Sequence, residues 1–136
     1  MKRILPHSTE AEQAVIGAML MDKDAIMVAA EMLTGEDFYQ SAYGVLFDAM
    51  VELFQSGKPV DLITLQEHLK EKNVPPEISE LEFARELLMS AQTSANIKYY
   101  AEIVREKATL RKMIKINEEI ANNCYLENQQ IGRAHV

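Results

Sequence analysis

The fold is decided by the stretch PHSTEAEQAVIG, which occupies residues 6–17. This stretch predicts the start of a helix, because Pro6 keeps the preceding chain extended and either Ser8 or Thr9 can accept from the first free N–H groups. Thr9 with Glu12 also has the spacing of a reciprocal capping box. Apolar residues then recur at helical spacing and form one face. They are Ala11, Ala14, Val15, Ala18 and Met19. Gly17 lowers helix propensity, so we expect another helix to approach closely at this point.

Composition indicates one globular domain of the all-α class. The chain has 136 residues, of which 48% are hydrophobic and 26% are charged, and its apolar pattern is helical almost throughout. Its single cysteine, Cys124, excludes an internal disulfide and suits a reducing compartment. No apolar run reaches membrane-spanning length, and the N-terminus lacks the apolar core of a signal peptide. We therefore expect a cytoplasmic protein with no membrane partner.

The rest of the chain predicts five further helices. They run from Ala25 to Leu33, from Ser41 to about Gln55, from Leu62 to about Lys72, from Glu80 to Met89, and from Ala95 to about Tyr125. Asp22 or Asp24 is expected to cap the second helix and Asp61 the fourth. Ser79 and Glu82 have capping-box spacing for the fifth. The aromatic pair Phe38 and Tyr39 is expected to fill the core.

The last predicted helix carries two separate apolar faces. The first face consists of Ile97, Tyr100, Ala101, Val104 and Ala108. The second consists of Leu110, Met113, Ile114, Ile120, Ala121 and Cys124, and it is rotated and displaced along the axis. A compact five-helix body over residues 1–92 can cover the first face but not the second. We therefore predict that the second face is a subunit or partner interface.

Charge and motifs give no support for catalysis or for direct DNA binding. The net charge is −7, and residues 1–95 carry 16 acidic and 7 basic side chains. A phosphate loop is absent, since Gly57-Lys58 has Glu52 in place of the first glycine and is followed by Pro59. The three histidines are widely separated, and neighbouring Glu118 and Glu119 diverge on a helix. We predict no catalytic, cofactor or metal site in this chain.

Four stretches, in this order, resemble the amino-terminal region of bacterial replicative DNA helicases of the DnaB type. The first is residues 6–13 with Gly17, and the second is Glu36-Asp37-Phe38-Tyr39. The third is Gly57-Lys58-Pro59-Val60-Asp61 with Thr64 and Leu69. The fourth is Ala95 to Lys107 with Leu110 and Arg111. The resemblance extends to about residue 127. The turn at residues 76–79 departs from it, since the family has a glycine-rich turn there.

The resemblance implies a collar domain of a hexameric ring helicase that unwinds duplex DNA with ATP hydrolysis. It implies that residues 93–130 form the first arm of a helical hairpin. Such domains pair into dimers within the hexamer and bind primase and the helicase loader. In that scheme ATP, Mg and DNA belong to the rest of the parent ring, and this domain holds no cofactor. Whether the chain itself counts as part of an enzyme thus depends on a motor domain that it does not contain.

Three alternatives to the helicase collar remain open at this point. One is a free-standing helical adaptor or regulator derived from the domain. Another is the helicase-binding domain of a primase, and the third is direct DNA binding. Separately, residues 131–136 correspond to one reading frame of a common short-read sequencing adapter. They are therefore predicted to be a non-native tail on a truncated fragment.

Overall fold

A computed structural model of the chain describes residues 3–134, with side chains as far as residue 129. Over this range the chain forms seven α-helices, one 3-10 turn and no strand, which confirms the predicted all-α class. The helices are α1 (Thr9–Met21), α2 (Lys23–Met32), α3 (Ser41–Gln55), α4 (Leu62–Glu71), α5 (Pro76–Ser79), α6 (Leu81–Ser90) and α7 (Ile97–Ala134). The 3-10 turn, Gly35–Asp37, precedes α3.

Helix α1 lies at the centre of the core. Its apolar face is buried over several turns, with Val15, Ile16 and Met19 almost fully enclosed. Helices α2, α3, α6 and α7 all pack against it. The opening stretch of the sequence therefore supplies the element around which the other helices assemble.

Of the expected caps at the start of α1, Ser8 is confirmed and the capping box of Thr9 with Glu12 is wrong. The N-cap is Ser8, whose side chain accepts from the backbone N–H of Ala11. Glu12 is instead buried at 1% exposure, and its carboxylate accepts from the N–H groups of Tyr39 at 2.9 Å and Gln40 at 3.1 Å. Those N–H groups precede α3 and have no partner within it, so a buried acceptor from α1 satisfies them.

The close approach expected at Gly17 is confirmed. A Cβ atom at this position would lie 2.7 Å from the Cβ of Ala91 and 2.9 Å from the carbonyl oxygen of Leu87. Both distances are shorter than van der Waals contact, so only glycine lets the end of α6 pack this closely on α1.

The predicted cap at Ser79 is also wrong. Pro76–Ser79 forms the short helix α5, and Ser79 is buried within it. Helix α6 then begins after Glu80, which makes no side-chain capping bond. Proline is pre-organised for the first position of a helix, so Pro76 starts an element where the sequence indicated a break. The expected caps at Asp22 and Asp61 are confirmed, and the N–H of Thr64 lowers the pKa of Asp61.

The aromatic pair after the 3-10 turn is split between core and surface. Phe38 is buried, with its ring centroid 5.2 Å from that of Phe47. Tyr39 is 38% exposed, so its predicted core position is wrong. Its ring stacks on His7 at 4.0 Å and therefore joins the N-terminal segment to the start of α3.

Candidate subunit interface

Helix α7 has a near half that belongs to the body. Four of its side chains are buried: Ile97, Ala101, Val104 and Ala108. At about 100° per residue they lie within an arc of about 60°. This narrow face packs against α1, α2 and the 3-10 turn. The first apolar face predicted from the sequence is thus part of the core, with Tyr100 partly buried at its edge.

The distal half of α7 extends beyond the body. The six predicted interface residues are Leu110, Met113, Ile114, Ile120, Ala121 and Cys124, which we call the distal face. Ile114 is partly covered and the other five are exposed, Met113 and Ile120 at 54% each. All six lie within an arc of about 120°, on the side of the helix almost opposite the buried face. The structure therefore brings the predicted residues together on one continuous surface.

Asn117 is a member of this surface that the apolar pattern alone does not reveal. It lies at the centre of the arc and is exposed. Together with four members of the distal face it completes the alternating spacing of three and four residues at 110, 113, 117, 120 and 124. That spacing is typical of the heptad seam of a coiled coil, in which a single buried asparagine helps to set register. Counting heptads, rather than apolar residues, identifies it.

Charge is segregated around the distal half. Between residues 110 and 126 the charged residues are Arg111, Lys112, Lys115, Glu118 and Glu119. All five fall within an arc of about 120° centred on the opposite side of the helix from the distal face. The distal face carries no charge, so its burial against another surface removes no ion from water.

Arg111 lies where α7 leaves the body. Its guanidinium donates to the carbonyl oxygens of Pro6 at 2.8 Å and Asp37 at 2.7 Å, and its Cζ atom lies 5.7 Å from the centroid of the Tyr39 ring. Beside it, Lys112 Nζ is 3.4 Å from the Asp37 carboxylate. A cleft of about 340 Å³ follows, lined by residues that include Leu5, Ile114 and Glu118. The packing between α7 and the body therefore loosens just beyond Arg111.

Residues 3–134 contain no grouping of histidine, cysteine or carboxylate side chains that suits a metal ion. Over the same part of the chain, every helix is too short or too polar to cross a membrane.

The sequence matches the family model described as "DnaB-like helicase N terminal domain" over residues 4–106. The chain belongs to this family. It is 41% identical over 130 residues to the replicative DNA helicase DnaB of Geobacillus stearothermophilus and 36% identical over 129 residues to the replicative DNA helicase DnaC of Bacillus subtilis. These alignments cover 96% and 95% of this chain, but only 29% and 28% of the relatives.

Solved structures agree with this DnaB-like assignment. The N-terminal domain of DnaB helicase from Mycobacterium tuberculosis superposes with a TM-score of 0.89 at 33% identity, covering 93% of this chain and 90% of that one. The corresponding domain from Helicobacter pylori, described together with its interactions with primase, has a TM-score of 0.72 at 20% identity over 85% of this chain and 89% of that one. The latter likeness shows the fold alone.

Proposed function

We propose that this DnaB-like domain is the collar module of a ring-shaped replicative DNA helicase and that it pairs subunits through the distal face. The parent protein unwinds duplex DNA at the replication fork with ATP hydrolysis in the cytoplasm. ATP and Mg are bound by its motor domain, and DNA contacts the ring rather than this module. Residues 93–130 act as the first arm of a helical hairpin, while residues 1–92 form the body.

The distal face is the observation that carries the proposal. It is uncharged and largely exposed, and it has heptad spacing on a helix that runs for about 27 Å from Lys112 to residue 130. A helix with no tertiary packing is only marginally stable in water, because helix propensity alone barely offsets the entropy of ordering the chain. A surface of this kind is stabilised when a second helix covers it.

Primase and the helicase loader are the proposed partners of this collar module. The support for primase is the relationship to the Helicobacter pylori domain, which is described with its primase interactions. The proposal for the loader rests on family membership. Isothermal titration of the domain with primase from the same organism tests the first of these, and an absence of binding heat at micromolar concentrations would argue against it.

Self-association is the property to test first. Replacing Ile114 or Leu110 with Asp adds a charge to the distal face, so we expect a lower molar mass in multi-angle light scattering across a concentration series. The free energy of unfolding of the body, measured in urea, should change much less. If association and stability fall equally, the distal face is internal core and the proposal fails.

The domain should also show no ATP turnover, since measurable hydrolysis would contradict a motor-free module.

Asn122→Asp provides the matched control. It adds the same single charge to the same exposed half of α7, but on the side away from the distal face. We expect its molar mass to follow that of the unmodified chain. Equal disruption by Asn122→Asp and Ile114→Asp would indicate that added charge alone, rather than the face, governs association.

A further inference from the structure

Arg111 is bound to two separate segments of the body. Its two terminal nitrogens, Nη1 and Nη2, donate to carbonyl oxygens that lie in the N-terminal segment and at the end of the 3-10 turn. Because the guanidinium is a rigid planar fork, two simultaneous bonds restrict its orientation as well as its position. The Tyr39 ring adds a third contact, which is of the cation–π type.

The turn that carries the Asp37 carbonyl is itself held by several hydrogen bonds. Asp37 ends a turn in which its own carboxylate accepts from the N–H of Thr34, while Asp48 accepts from the N–H of Gly35. The following two N–H groups, at residues 39 and 40, are bound by buried Glu12. Pro6 lies two residues before the N-cap of α1. Arg111 therefore bonds on one side to a turn held by several hydrogen bonds and on the other to the residue that leads into the N-cap of α1.

The buried face of the near half restrains the helix against tilting less than the Arg111 contacts do. Two of its four buried side chains are alanines, and the remaining two are Ile97 and Val104. All lie toward the N-terminal end of a helix that continues to Ala134. The segment from Lys112 to Gln129 is about 25 Å long, so a tilt of about 10° at its base displaces Gln129 by about 4 Å.

We infer that Arg111 is a positioning residue that sets the direction of the distal half of α7 relative to the body. Its fork joins the helix to the N-terminal segment and the 3-10 turn near the point where the helix leaves the body, beside the longer contact of Lys112 with Asp37. This role goes beyond the proposed pairing, since it concerns the geometry of a single chain. It holds whether or not a second copy binds the distal face.

Double electron–electron resonance measures this direction. Spin labels are attached to cysteines introduced at Glu67 on α4 and Gln129 on α7, both exposed, in a Cys124→Ala background. Labelled chains are diluted into excess unlabelled chain, so that the distances are intramolecular. We expect one narrow distance distribution for the parent. For Arg111→Ala we expect a broadening or shift of about 4 Å, the displacement that a tilt of about 10° produces.

Two further variants make the test decisive. Arg111→Lys keeps the charge but loses the fork, so its distribution should also be broader than that of the parent. This variant decides the question if Arg111→Ala fails to fold by circular dichroism. Arg105→Ala, which removes an exposed arginine from the same helix, should leave the distribution unchanged. Parent-like distributions for the folded Arg111 variants would overturn the inference.

Discussion

The near and distal halves of α7 belong to one continuous helix but have opposite surroundings. The body buries the apolar face of the near half, whereas the apolar side chains from Leu110 onward are largely exposed. Both halves carry an apolar stripe, so amphipathic pattern alone does not distinguish them. The difference is that, within residues 3–134, other helices cover the first stripe only. An apolar stripe thus indicates that a helix needs a partner, while the location of the partner depends on the fold.

The largest expected effect comes from a charge placed in the near half. Val104 is 1% exposed, so Val104→Asp buries a carboxylate with no ion-pair partner. We expect the free energy of unfolding in urea to fall by about 4 kcal/mol. Ile120→Asp makes the matched change in the distal half, and at dilutions where the chain is monomeric it should alter stability by no more than about 0.5 kcal/mol. Similar losses in both variants would remove the distinction between the halves.

Glu12 tests how firmly the body holds the segment to which α7 is attached. Glu12→Ala leaves the N–H groups of Tyr39 and Gln40 without their acceptor, and we expect a loss of about 3 kcal/mol in urea unfolding. Glu10→Ala, at an exposed position in the first turn of the same helix, serves as the control. If Glu12→Ala were as stable as the control, the buried carboxylate would not be a structural acceptor.

Gly17 tests packing of the body at a site away from α7. Gly17→Ala places a methyl group against Ala91 and the Leu87 carbonyl. We expect the free energy of unfolding to fall by about 2 kcal/mol, despite the better helix propensity of alanine. Adding Ala91→Gly removes the nearer of the two contacting atoms and should restore part of the thermal stability. A stabilised Gly17→Ala variant would show that α1 and α6 can separate without penalty.

The smallest effect is expected on the surface between α3 and α4. Hydrogen bonds from Lys72 and His68 lower the pKa of Glu52 in the folded chain. The stabilisation is therefore present above the ordinary carboxyl pKa and is lost as the pH falls through the lowered value. Because Glu52 and its partners are partly exposed, we expect Glu52→Gln to lower the free energy of unfolding by less than about 1 kcal/mol at pH 7. The melting temperatures of variant and parent should converge in acid, while Glu67→Gln should show no such difference. A cost for Glu52→Gln that persists unchanged in acid would contradict the ion-pair assignment.

Local periodicity predicts the helices other than α5 and the two faces of α7, because each depends on residues close together in the sequence. The close approach at Gly17 follows from the residue type alone, although its partners Leu87 and Ala91 lie far along the chain. The failures involve longer-range contacts. Glu12 has capping-box spacing, but its carboxylate is used 27 residues away at Tyr39. The Arg111 contact with Pro6 spans 105 residues, so no local spacing indicates it. Residue type favours a core position for Tyr39, whereas its ring contacts His7 and Arg111 at the surface.

Hydrogen exchange measured at two protein concentrations tests the central claim most directly. Amides of residues 97–108 should be protected equally at both concentrations, because the body of the same chain covers them. Amides of residues 110–129 should exchange slowly in the concentrated sample and much faster after dilution, because their helix depends on a second copy. Exchange in the distal half that is independent of concentration would contradict pairing through the distal face.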